Sequence, residues 1–177
     1  MYGVVSLLDE PHNEKVESIW AELQAQFGVH GVRTTPVAHF SYHVAQKYHS
    51  DSLSIILGEI ASQTKPFQVR TVGLGIFTGD DPVLYMSVRL DPVLITLHQQ
   101  LWDALADVTV EPLNLYHPHR WQPHITLTHK DVNHDLLPEV VRILSERDFY
   151  WTITVNNLAL LGGDDTHSVI TRIPFGK

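Results

Sequence analysis

The 177-residue chain has no cysteine, so it holds no disulfide and performs no thiolate chemistry. Lysine and arginine are scarce, 12 against 20 aspartates and glutamates, for a formal net charge of −8. Proteins that coat long nucleic acids neutralise phosphates with lysine and arginine. Without a basic cluster, such a role is not expected here. A small substrate with one or two phosphates, or a nucleic-acid end held locally, stays within reach. No apolar run approaches the roughly 20 residues of a membrane-spanning helix, and no membrane partner is expected. The first residues, Met1 to Asp9, lack the basic start and small-residue cleavage site of a signal peptide and read as a strand. With the missing cysteine, this fits a cytoplasmic protein. No P-loop or dinucleotide fingerprint is present, because Gly73-Leu74-Gly75 lies inside a strand pattern and opens no helix.

Histidine is plentiful, at 12 residues, and two of them sit in matching surroundings. His39-Phe40-Ser41-Tyr42-His43 and His124-Ile125-Thr126-Leu127-Thr128 both alternate as strands do. Residues i and i+2 of a strand share a face. Each segment therefore offers an imidazole and a hydroxyl side by side, with bulky residues behind them.

The likeness extends along the chain. Asp9, Ile19, Trp20 and Leu23 correspond in order to Asp91, Leu101, Trp102 and Leu105. The helical stripe Leu53, Ile56, Leu57 and Ile60 returns as Leu137, Val140, Val141 and Leu144. Gly79-Asp80-Asp81 returns as Gly163-Asp164-Asp165. The expectation is one domain over 1–177 built from two pseudo-repeats, about 1–82 and 83–177, sharing the strand near 83–90.

The spacing predicts strands at 2–8, 37–45, 66–77, 83–90, 123–129, 150–161 and 167–173. Helices are predicted at 10–27, 52–63, 92–106 and 134–147, the first capped by Asp9 and the second by Ser50 or Asp51. Turns fall at 78–82 and 162–166, and a loop rich in proline, histidine and asparagine at 111–122. The class is α+β, with mostly antiparallel sheets and helices packed outside.

A neutral imidazole can take a proton from water while a protonated one gives a proton to a departing ribose oxygen. Ser41 and Thr126 can donate hydrogen bonds to nonbridging phosphate oxygens and hold the phosphorus in line. Such a set cleaves a phosphodiester without a metal or other cofactor.

The paired His-x-Ser/Thr segments resemble those of the two-histidine (2H) phosphoesterase superfamily, which includes the 2′-5′ RNA ligase-like proteins and the cyclic nucleotide phosphodiesterases. Pro123-His124-Ile125-Thr126-Leu127 carries the resemblance most clearly. In the first segment, Ala38 stands where proline is usual and Ser41 where threonine is common. The resemblance implies two antiparallel sheet lobes around a central cleft. It implies His39 and His124 as the catalytic pair and Ser41 and Thr126 as phosphate binders. The implied reaction is hydrolysis or reversible formation of a phosphodiester at a ribose 2′ or 3′ oxygen. On a nucleotide or RNA end this means a 2′,3′-cyclic phosphate or a related 2′-5′ linkage. The rivals are a nucleotide- or RNA-end-binding module of the same fold and an RNA ligase.

Further candidates for substrate contact are His43 and Thr128 on the expected cleft face, and Tyr116, Arg120 and Trp121 in the loop before the second segment. Arg33 precedes the first. The spacing of His117, His119 and His124 matches no common zinc pattern, so no metal is expected. Oligomeric state, base preference and the division of acid and base roles are not readable from the sequence.

Overall fold

Asp9 turns the first strand, β1 (Tyr2–Leu7), into the first helix, α1 (Glu10–Phe27). In the computed structural model its carboxylate accepts the amide of His12, Pro11 sits in the first turn, and Gly28 closes the far end at φ 73. That left-handed angle suits glycine, which has no Cβ to clash. The structure describes residues 1–35, 37–163 and 168–176, and for Ser50 and Asp51 the backbone only. The expected caps at Ser50 and Asp51 and most of the turn at 162–166 thus lie outside the described residues.

The chain continues through β2 (His39–Tyr48), α2 (Ser50–Gln63), the hairpin β3 (Phe67–Phe77) and β4 (Val83–Val88), and α3 (Pro92–Leu105). After these come β5 (Thr109–Pro112), β6 (His124–Thr126), α4 (Leu137–Ser145), β7 (Thr152–Val155), β8 (Asn157–Gly162) and β9 (Ser168–Pro174). Among the described residues the strands form two antiparallel sheets, ordered β5-β2-β1-β8-β9 and β6-β4-β3-β7. The expected α+β class with antiparallel sheets is what is found. Each sheet draws on distant parts of the sequence, since β1 and β2 join β8 and β9 while β3 joins β7.

The helical stripes go where their spacing sends them. Val16, Ile19, Trp20 and Leu23 of α1 and Leu94, Leu97, Leu101 and Leu105 of α3 share one buried cluster with Leu57, Val140 and Leu144. Full burial of such a side chain stabilises by about 1.5–3 kcal/mol, so these stripes fix the helices against the sheets.

Four elements differ from expectation. The strand expected at 123–129 is confined to β6, three residues long. The strand expected at 150–161 is two strands in different sheets, parted at Asn156. The cause is Asn157, 1% exposed, whose amide accepts from Leu7 N and donates to Leu7 O, both at 3.0 Å. Its own carbonyl accepts from Ser6 Oγ at 2.6 Å. These bonds tie the chain to β1 and carry it into the other sheet. The loop at 111–122 contains part of β5, a short edge strand on β2 that ends at Pro112, where an amide donor is lost. The helix expected from 134 begins at Leu137, because Asn133 Oδ1 takes the amide of Leu136 and makes the preceding residues a turn.

Both motif strands break register just past their hydroxyl residue. Val4 pairs with His43 but Val5 with Ser41, leaving Tyr42 as an extra residue on β2. On the other side Leu84 O accepts from Leu127 N at 2.9 Å and Thr128 N at 3.2 Å. A bulge of this kind moves the following side chains to the opposite face.

Candidate active site

Both motif histidines are half-buried and held in the same way. Nδ1 of His39 donates to the carbonyl of Val37 at 2.8 Å, and Nδ1 of His124 donates to the carbonyl of Gln122, also at 2.8 Å. A carbonyl only accepts, so each Nδ1 carries its proton and Nε2 is the ring nitrogen whose protonation can change. Burial holds His124 below the ordinary histidine value, because it disfavours the charged ring, and the Gln122 bond opposes this only in part.

Ser41 and Thr126 stand two residues along from these rings, on the same strand faces. His39, Ser41 and Thr126 line one cleft of about 210 Å³ together with Trp20, Tyr116 and His129. Cα atoms of β2 and β6 approach within 8 Å although the strands belong to different sheets. His124 is not among the residues lining that cleft; it stands two residues from Thr126, its ring meeting at an angle both of the mutually stacked rings of Phe77 and Tyr85.

The backbone under each hydroxyl residue is fixed by an indole. Trp121 Nε1 donates to Ser41 O at 2.9 Å, and Trp20 Nε1 donates to Thr126 O at 3.2 Å. Trp121 stacks on His98 with ring centroids 3.7 Å apart and planes at 3°. Nε2 of His98 donates to the carbonyls of Tyr42 at 3.1 Å and Tyr116 at 3.0 Å. Tyr116 and Ser41 both line the cleft. One buried plate thus holds the backbone of the bulged strand at Ser41 and Tyr42 and of the loop at Tyr116.

Several expected contacts lie elsewhere. His43 is 2% exposed and points away from the cleft, against Trp102 at 4.8 Å and with Nδ1 sharing a 2.6 Å hydrogen bond with the Tyr48 hydroxyl. The bulge at Tyr42 put it there, and Val44 takes its place in the cleft lining. Thr128 is fully buried, its hydroxyl accepting from Leu84 N at 3.0 Å. Trp121 is a buried support and presents no face for a base. Arg120 is exposed in the turn that its amide closes onto His117 O. Tyr116 does line the cleft. Arg33 lies 5.5 Å over the ring of Trp20, a cation–π contact at the cleft's edge. His117 and His119 are neighbours near Trp102, apart from His124.

Sequence reasoning placed Trp20 only on a core stripe. It also reaches the cleft, whereas Trp102 packs on His43. His129, Thr34 and Thr35 also join the lining without any periodic signal.

Burial holds both His43 and His98 at about 4, against 6.5 for an ordinary histidine. The unfolded chain therefore binds protons that the folded chain refuses between those values. Stability from these groups is present above about 6.5 and is lost as pH falls towards 4. The urea midpoint is expected to drop between pH 7 and pH 5, and His98→Gln is expected to flatten part of that drop. A midpoint independent of pH over this range would contradict the burial of neutral rings.

A family model described as the 2′-5′ RNA ligase superfamily matches residues 9–167. No curated protein matches the chain in sequence. Among solved structures, TT0787 of Thermus thermophilus superposes with a TM-score of 0.69 at 16% identity, covering 99% of this chain and 98% of its own. E. coli LigT complexed with 3′-AMP superposes with a TM-score of 0.66 at 15% identity, covering 99% and 98%. LigT complexed with ATP gives 0.60 at 14%, covering 99% and 97%. At these identities the likeness establishes the fold.

Proposed function

The chain belongs to the 2′-5′ RNA ligase superfamily, and from that premise we propose that it is a metal-independent phosphodiesterase opening 2′,3′-cyclic phosphates, or related 2′-5′ linkages, on nucleotide or RNA ends. The observation that carries this is the matched pair of histidines. Each has Nδ1 tied to the carbonyl two residues upstream, and each has a hydroxyl two residues downstream at a common cleft.

In hydrolysis, one Nε2 takes a proton from water as the water oxygen bonds to phosphorus. The bond from phosphorus to one ribose oxygen breaks, and the other imidazolium returns a proton to that oxygen. The hydroxyls of Ser41 and Thr126 donate to the nonbridging oxygens as charge develops there. The two rings end with their protonation states exchanged. If the 5′-hydroxyl of a second chain attacks in place of water, the same two rings move its proton and protonate the departing ribose oxygen, so the ends are joined, and turnover of ligatable ends distinguishes this alternative.

The test is turnover of a nucleoside 2′,3′-cyclic phosphate in the presence of a chelator, measured across pH. One neutral and one protonated ring are required, so the rate is expected to be bell-shaped. Because burial lowers His124 from 6.5, one limb is expected on the acid side of that value. Absence of turnover across cyclic and 2′-5′ linked substrates would leave the binding-module alternative.

A further inference from the structure

A sheet face next to the proposed proton-transfer centre carries aromatic side chains that the mechanism above does not use. Tyr85 pairs across the ladder with Thr126 on one side and with Gly75 on the other. Residues directly opposite in a ladder share a face, so Tyr85 stands on the side of Thr126 and His124. Phe77, two positions beyond Gly75 and opposite Val83, stands there too. The other side of the same strands is core, made of Leu84, Met86 and Ile125, all fully buried.

A Cβ on Gly75 would overlap the ring of Tyr85. Glycine at 75 is therefore what lets that ring lie across β3, where it stacks on Phe77 with centroids 4.2 Å apart and planes at 26°. Phe77 meets the His124 ring at 4.8 Å and 83°, and Tyr85 meets it at 5.2 Å and 61°. Core packing does not account for this pair, since Phe77 is 37% exposed and Tyr85 only half-buried.

We propose that Phe77 and Tyr85 form a nucleobase-stacking subsite, which takes the base of the nucleotide whose ribose oxygen lies at His124. This rests on the phosphodiesterase reading of the cleft. Any base has a π-face, so an aromatic shelf binds it with little sequence preference. The charge pattern restricts the groups that can lie beyond that base. Asp80 and Asp81 are exposed in the turn directly after Phe77, and carboxylates repel a phosphate within a Debye length of about 8–10 Å. The fitting occupant is a terminal nucleoside, with no further phosphate along the shelf.

Calorimetric binding of nucleoside 3′-monophosphate, ribose 3-phosphate and nucleoside 3′,5′-bisphosphate tests this without needing turnover. Wild type is expected to bind the nucleoside monophosphate roughly 10-fold more tightly than ribose phosphate, within the range of one base–aromatic stack. Phe77→Ala should lose that advantage while ribose phosphate binding stays the same, and Tyr85→Phe, which keeps the ring, should retain it. The second phosphate should bring no gain. Equal affinity with and without the base, no binding of either ligand, or equal weakening of both in Phe77→Ala would overturn the subsite. The last would make the rings mere props for His124. Tighter binding of the bisphosphate would overturn the terminal-nucleoside assignment. Base-dependent binding without any turnover would sink the phosphodiesterase reading and leave the shelf standing.

Discussion

His39→Ala and His124→Ala are each expected to lower kcat on a nucleoside 2′,3′-cyclic phosphate by about 10²–10⁴-fold, the usual worth of a positioned acid or base. KM should change little, because each ring acts mainly on protons in flight. The double variant should fall by much less than the product of the two, since groups that act as a unit are not additive. Folding should be spared: both rings are half-buried, and the bond each makes to the carbonyl two residues upstream is local to its own strand. Thr126→Ala and Ser41→Ala should cost about 10²–10³-fold if each donates to the charge that develops on phosphorus. The comparison between them bears on the departure in the first motif. Serine lacks the methyl that restricts threonine, but the Trp121 indole holds the Ser41 carbonyl at 2.9 Å and fixes the backbone that carries the hydroxyl. Comparable losses would show that this backbone support makes up for the missing methyl. Full activity in either histidine variant would end the proposed mechanism.

The helices were legible because their information is local. Leu94, Leu97, Leu101 and Leu105 repeat at helical spacing, and Asp91-Pro92 precedes them, so α3 appears where the pattern places it. The motif strands were legible for the same reason, as were the half-buried histidines and their hydroxyl neighbours. What escaped depends on partners far along the chain. Phe40, Tyr42 and Val44 alternate without a flaw, and nothing in that run announces the bulge that sends His43 into the core. Strand alternation predicts faces only while pairing keeps step. The break between β7 and β8 is written as Asn156-Asn157 in an apolar run. Its meaning comes from Leu7, 150 residues earlier, whose backbone Asn157 holds. Trp121 has an apolar side chain in a polar loop, which fits a base-stacking residue and a buried support equally well. Only the position of His98 and the carbonyl of Ser41 decides between them.

That buried support carries the second large effect. Trp121→Ala is expected to destabilise the fold by about 3–5 kcal/mol, the range for emptying a large aromatic site. It removes the plate stacked on His98 and leaves the carbonyl of Ser41 without its donor. Trp121→Phe separates these two effects. The phenyl ring keeps most of the stack while the N–H is lost, so the expected cost is the smaller one of an unmet buried carbonyl, about 1–3 kcal/mol. Its activity should nevertheless fall along with the Ser41 side of the cleft, because the bulged strand there is held from below by Trp121 and His98 together. Trp20→Phe makes the matching change under Thr126, where the indole bond is longer at 3.2 Å, and its effect should be the smaller of the two. Denaturant midpoints read alongside kcat on the cyclic substrate decide the matter. If Trp121→Phe lost stability yet kept full kcat, the indole would serve the fold alone. A fall in kcat larger than that of Trp20→Phe would place the more heavily supported half of the site at the serine, where the motif departs from its usual form.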